Sequence, residues 1–327
     1  MRKAVKKIAL KVLSGVAFVN HPKMDKAIRY YIRDNYYSRL NQVRFFTDDY
    51  LYKKKYKVID YYGEFSDELN YTLPFAYWHH LNGTLKKTIS CKDTKDLYFF
   101  SENHEERYQS RDATFSYVNY DTPNKTNSIT KSYSKWARVP LKEHYKNDIF
   151  VFEKPIMVIA NKYNIEWDGP PLNYFDIPTL DKVISTYKEK YQIIYNRPMP
   201  SRIVEDNSDI LDLGDIPWLR EKHPEVIILD DLFNKYQNQV NSFNHFQILV
   251  YANCDKFMSI HGGTATLASY FGGHNIILSK GKANPVEGGG LETIFNEFSS
   301  IFTAISGAKI LHAKTEADIF NFLSLYY

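Results

Sequence analysis

Two glycines stand directly behind an apolar, strand-like run in "KFMSIHGGTATLASYF" (256–271). A strand that ends in a glycine turn and re-enters a helix leaves backbone N–H groups pointing outward, and such groups bind phosphate. Gly262 and Gly263 suit that role, with His261 before them and Thr264 after. Cations follow other apolar runs. Lys162 comes just after "PIMVIA", Arg197 after "YQIIYN" and Lys280 after "NIIL", with Glu287 and Glu292 farther on. An arginine fork, a lysine and a glycine-opened helix at one sheet edge would suit a diphosphate. Each residue also has a plainer reading. Double glycines at such turns often serve packing alone. His261 also reads as a hydrogen-bonded loop histidine, Lys162 as a surface lysine, and Glu287 and Glu292 as helix-start carboxylates. The chain has neither the GxxxxGK[ST] nor the GxGxxG phosphate loop.

A second group of candidates lies earlier. "GEFSDEL" (63–69) supplies Glu64, Asp67 and Glu68, and "SENHEER" (101–107) supplies His104. A hydroxyl that attacks an electrophilic carbon needs a base within hydrogen-bond reach, and Glu64 and His104 are the candidates. The three carboxylates equally suit a helix start, and His104 a surface loop. No Asp-x-Asp motif is present, and Cys91 and Cys254 are the only cysteines, so no metal site is expected.

These residues need a scaffold that brings strand ends together. "YKVIDYY" (56–62), "TLKKTIS" (84–90) and "DLYFF" (96–100) read as strands, with a helix over 63–83. A second alternation follows. Strands are expected at 155–160, 191–196, 225–231, 256–260, 275–278 and 308–311, with helices at 179–190, 244–254, 262–271, 292–302 and 316–326. The strand runs are continuously apolar, as in parallel sheets covered on both faces. The expected fold class is α/β, with two Rossmann-like domains facing a cleft. Residues 1–50 are expected to form a basic helical extension, 51–150 the first Rossmann-like domain and 151–327 the second.

The length allows two domains with real cores. A formal charge of +4 is too small to argue for nucleic acid. No apolar run reaches the length of a membrane span. In the opening "MRKAVKKIALKVLSGVAFV", Val5, Ile8, Val12, Leu13 and Val16 gather on one helical side, with Lys3, Lys7 and Lys11 opposite. That is an interfacial-helix pattern, so residues 1–18 either meet an anionic membrane surface or pack on the protein's own body. Lys11 interrupts the apolar core a signal peptide would need, and a cytoplasmic location, peripheral to a membrane's inner face, is expected.

The run "FMSIHGGTATLASYFGGHNIIL" resembles the donor-domain segment of GT-B glycosyltransferases of the heptosyl- and fucosyltransferase-like groups, and "YQIIYNRP" is similar to their strand-plus-arginine element. The resemblance implies transfer of a sugar from a nucleotide-activated donor to a glycan or lipid-linked glycan, in surface polysaccharide or lipopolysaccharide synthesis. It implies no metal and no cofactor, the nucleotide-sugar being a substrate. It makes Arg197 the diphosphate arginine, lines the phosphates with Gly262, Gly263 and Thr264, and brings Glu287 or Glu292 to the donor's ribose or sugar. Pro198 follows Arg197 where the family has more charge, so the donor's identity does not transfer. A GT-B-like sugar-nucleotide epimerase, a pyruvyl-transferase-like enzyme and a non-catalytic carbohydrate-binding protein are the alternatives.

Overall fold

The computed structural model describes residues 2–112, 114–115, 121, 134–166, 170–204, 208–280, 303–304 and 306–327. The chain begins with a helical hairpin, α1 (Arg2–Asn20) and α2 (Lys26–Phe46). Asp25 starts α2 by accepting the Ala27 N–H at 2.7 Å, which satisfies a donor that has no partner inside the helix. A π-helical turn, Thr47–Tyr52, prolongs α2 and stops at Lys53, whose φ is +48°.

The N-terminal sheet has three parallel strands in chain order, β1 (Lys57–Asp60), β2 (Leu85–Cys91) and β3 (His104–Tyr108). Between β1 and β2 one helical run comprises α3 (Phe65–Asp67), a π turn (Glu68–Thr72) and α4 (Leu73–Leu81), with Pro74 at the start of α4. The expected strand at 96–100 is instead a turn-rich segment, and "HEERY" is the strand. Leu97, Tyr98 and Phe100 are buried without joining a sheet, because a short apolar run does not distinguish strand from buried turn. β3 is an edge strand whose charges pair along the sheet, Lys87 with Glu105 and Arg107 with both Glu105 and Asp60.

After α5 (Leu141–Tyr145) the second sheet begins. It holds six parallel strands: β4 (Ile156–Ala160), β6 (Gln192–Asn196), β8 (Ile227–Ile228), β9 (Cys254–Ile260), β10 (His274–Leu278) and β11 (Lys309–Ala313). Their spatial order is β11-β10-β9-β4-β6-β8. Numbered along the chain this is the 3-2-1-4-5-6 order of a Rossmann sheet, and the direction of winding reverses between β4 and β9. Five consecutive residues of β4 are buried, as both faces are covered. The crossover helices are α6 (Ile177–Tyr187), α7 (Asp215–Lys222), α8 (Leu229–Tyr236), α9 (Phe243–Tyr251) and α10 (Gly263–Ser269), and α11 (Glu316–Tyr326) follows β11. β8 is shorter than expected because helix begins at Leu229, with Asp230 and Asp231 in its favourable first turn. β5 (Asn164–Glu166) and β7 (Ser208–Ile210) form an antiparallel ribbon that the sequence reading omitted. The helix expected at 292–302 lies outside the described residues.

One face of the large sheet packs under α6 and α11 through Met157, Ile159, Leu180, Val183, Ile319 and Leu323. The core on the other face continues into the N-terminal sheet, joining Val158, Phe257 and Ala265 to Ile59, Leu69 and Leu73. Polar ties reinforce that junction. Tyr270 Oη donates to Leu69 O at 2.6 Å and Asn241 Nδ2 to Asp96 Oδ1 at 2.9 Å. The molecule is α/β with two parallel sheets, and where they meet the contact is a continuous apolar core.

Candidate functional site at the strand reversal

Open parallel sheets bind ligands beyond the carboxyl ends of their strands, where the winding reverses. Here that point lies between Asn161–Lys162, after β4, and His261–Gly262, after β9. Asn161 closes its strand with four hydrogen bonds. Its Nδ2 donates to Phe175 O and Tyr195 Oη, both at 2.9 Å, and its Oδ1 accepts from Phe175 N at 2.9 Å and Lys162 N at 3.0 Å. Lys162 is thereby held at the rim.

Opposite Lys162, Gly262 has φ +125° and ψ −158°, a conformation only glycine adopts readily. A Cβ there would stand 3.5 Å from Lys162 Nζ, so the amine lies directly over the turn. Gly262 O accepts from both the N–H and the hydroxyl of Thr266 at 3.1 Å. α10 is held from below by Asn275, an amide inside an otherwise apolar strand. It accepts from Ser259 Oγ at 2.8 Å and donates to Ala265 O at 3.2 Å and Ser269 Oγ at 3.0 Å. A lone asparagine in "HNIIL" was the signal that a buried polar clasp exists, since buried amides must be paired.

His261 lies beside the turn, with Nδ1 at 3.5 Å from Ser279 Oγ. Burial first, then the Lys162 and His312 charges, push its pKa down to about 4. It is neutral at pH 7 and offers a hydrogen bond, not a positive charge. Thr264 is half-buried in the first turn of α10.

Other candidates go elsewhere. Arg197 follows β6 as expected, but its guanidinium is already engaged. Nη1 pairs with the buried carboxylate of Asp215 and Nη2 donates to Leu211 O, while Nε is buried with no acceptor. Tyr195 Oη donates to the other Asp215 oxygen. Arg197 therefore ties the end of the β5–β7 ribbon to the start of α7, where a diphosphate contact was expected. Lys280 turns to α11, with Nζ 3.0 Å from Glu316 Oε1. Glu287 and Glu292 lie outside the described residues.

Of the two proposed bases, only Glu64 belongs to this region. It caps α3 just beyond β1, and its carbonyl accepts from Tyr61 Oη at 2.9 Å and Glu68 N at 3.0 Å. The next residues abut the glycine turn, since a Cβ on Gly263 would lie 2.9 Å from Phe65 Cδ1 and 3.6 Å from Ser66 N. His104 instead opens β3. Its Nδ1 lies 2.8 Å from Thr88 Oγ1, its Nε2 3.2 Å from Thr94 Oγ1, and its ring stacks on Tyr98 at 4.8 Å. With both nitrogens on hydroxyls it is a clasp between β2, β3 and the turn-rich segment. Glu68 is likewise occupied, by Ser90, Tyr98 and Arg111.

Among the described residues no cluster of three or more His, Cys, Asp or Glu could hold a metal. No described helix is long and apolar enough to cross a membrane. Comparison with family models, curated proteins and solved structures gives no match to this chain.

Proposed function

We propose that the chain is a metal-independent glycosyltransferase of GT-B type, moving a sugar from a nucleotide-activated donor to a glycan or lipid-linked glycan acceptor. The observation that carries this reading is the Lys162 amine over the Gly262 turn, at the point where the strand order reverses and where such sheets open a crevice. The donor's diphosphate lies in that crevice, against Lys162 Nζ and the backbone N–H groups of 262–264. An acceptor hydroxyl attacks the anomeric carbon, its proton passes to Glu64, and the nucleoside diphosphate departs with the bonding pair. Lys162 and the backbone donors stabilise the charge that develops on it. α10 has only seven residues, so the lysine supplies most of the anion attraction. Surface polysaccharide or lipopolysaccharide synthesis at the inner face of a membrane suits a chain of this kind.

Two observations favour a second reading, a carbohydrate-binding protein that kept the fold without the chemistry. Arg197 is spent on Asp215, and Phe65 lies where a phosphate would approach Gly263. Thermal shift against UDP-, GDP-, CMP- and ADP-sugars tests the proposal, because a specific ligand raises apparent stability. A shift with one nucleotide class, lost in Lys162→Ala, supports it; no shift with any of them removes the donor site. A shift without release of nucleoside diphosphate, in the presence of glycan acceptors, favours the second reading.

A further inference from the structure

We propose that α1 is a docking face for an anionic lipid bilayer. This does not rest on the sugar-transfer reading. At 3.6 residues per turn, Val5, Ile8, Val12, Val16 and Val19 fall within about 80° of arc and run about 21 Å along the helix. All five are open to solvent, Val5 at 61%, Ile8 at 65%, Val12 at 61%, Val16 at 41% and Val19 at 74%. α1 packs on α2 through its other side, where Ala17 is buried and Leu10 and Leu13 are half-buried. The apolar stripe therefore faces away from the body, and Leu13, expected to join it, belongs to the packed side. Packing on the protein's own core does not account for the stripe.

Charge selects the occupant. Exposed Lys11 borders the stripe, with exposed Lys7 next to it farther round the helix. Residues 1–46 hold eleven Lys and Arg against two acids, Asp25 and Asp34. The whole chain carries only +4, so this hairpin is +9 and the remainder is −5. An anionic surface attracts the hairpin and repels the body, which turns the stripe toward the lipid. Lysines flanking an apolar stripe reach headgroups while the valines enter the acyl boundary. A second copy of the chain would bring the two +9 hairpins together, which like-charge repulsion opposes.

The test is co-sedimentation of the full chain with phosphatidylcholine vesicles, with and without phosphatidylglycerol. Expected is pelleting with the phosphatidylglycerol vesicles, weakening at high salt. Lys7→Gln and Lys11→Gln each weaken it about fivefold. Ile8→Glu with Val12→Glu abolishes it without lowering the thermal midpoint, since those side chains touch water. Equal pelleting of the wild type and the glutamate variant overturns the proposal, as does absence of pelleting. A glutamate variant with a lowered midpoint means that the stripe packs on the body, and overturns it. So does a wild-type dimer that Val12→Glu splits, with no vesicle binding.

Discussion

Phe65 and Gly263 are in contact across the two sheets: a Cβ added at 263 would meet Phe65 Cδ1 at 2.9 Å, closer than carbon atoms pack. Phe65 opens the first helix of the N-terminal sheet, and Gly263 opens the helix at the strand reversal of the large one. Gly262, not Gly263, has the positive φ. The two glycines thus have separate causes, backbone conformation at 262 and close approach of a phenyl ring at 263.

Gly263→Val is accordingly expected to destabilise the protein by about 1–3 kcal/mol through overpacking. Phe65→Ala should relieve part of that cost. The two substitutions then cost less together than the sum of each alone, with a coupling of at least about 0.5 kcal/mol in urea denaturation. Additive effects would mean that the ring moves aside freely, and the glycine would return to phosphate approach as its reason.

The parallel character of the large sheet, though not its strand order, was legible in the sequence because buried strands read as unbroken apolar runs. β3 was not, since "HEERY" is an edge strand whose outward charges hide its period, while the buried turn "DLYFF" imitates a strand. Lys162, His261 and Gly262 were found from position alone, as residues just beyond strand ends. Arg197 was placed correctly but its partner was not foreseen. Asp215 lies eighteen residues on, past β7, a three-residue ribbon strand that periodicity cannot detect.

Arg197→Ala should lower stability by about 3–5 kcal/mol, because it strands the buried Asp215 carboxylate. Arg197→Met combined with Asp215→Leu should recover most of the loss. Nucleotide-sugar affinity of that double variant then separates structure from binding. Retained affinity confirms Arg197 as a tie between the ribbon and α7. Lost affinity in a stable double variant would return the arginine to the donor site.

Lys162→Met is expected to leave the thermal midpoint within about 1 °C, as a rim substitution. It should weaken nucleotide-sugar binding by about 1.5–3 kcal/mol, the worth of a charge-assisted hydrogen bond. The His261 pKa should rise from about 4 in this variant, because one of the charges depressing it is gone. It should stay below 6.5, since burial is the larger cause. Imidazole proton shifts followed against pH measure it. An unmoved His261 titration would mean that the amine does not sit over the turn in solution.

The last expectation concerns acid sensitivity and arises far from the crevice. His79 of α4 is buried beside two ion-paired carboxylates. Lys135 bridges Asp49 and Asp121, Lys57 pairs with Asp121, and Tyr56 Oη donates to Asp49 Oδ1 at 2.6 Å. The His79 Nδ1 lies 2.7 Å from Thr84 Oγ1, and its Nε2 is 3.8 Å from Asp121 Oδ2. Burial outweighs the attraction of Asp121 and, helped by the Lys57 charge, lowers the His79 pKa to about 4. The unfolded imidazole takes its proton near pH 6.5, whereas the folded protein refuses it until about pH 4. Within that window the unfolded chain binds more protons, so the stability from neutral His79 is complete above the window and falls away as pH drops through it. At about pH 5 the loss is roughly 2 kcal/mol. His79→Gln, which keeps a side-chain partner for Thr84, removes that contribution. Urea midpoints between about pH 8 and pH 5 should therefore fall less steeply for the variant than for the wild type. Parallel slopes would show that His79 titrates normally and that the buried pairs around it are open to water.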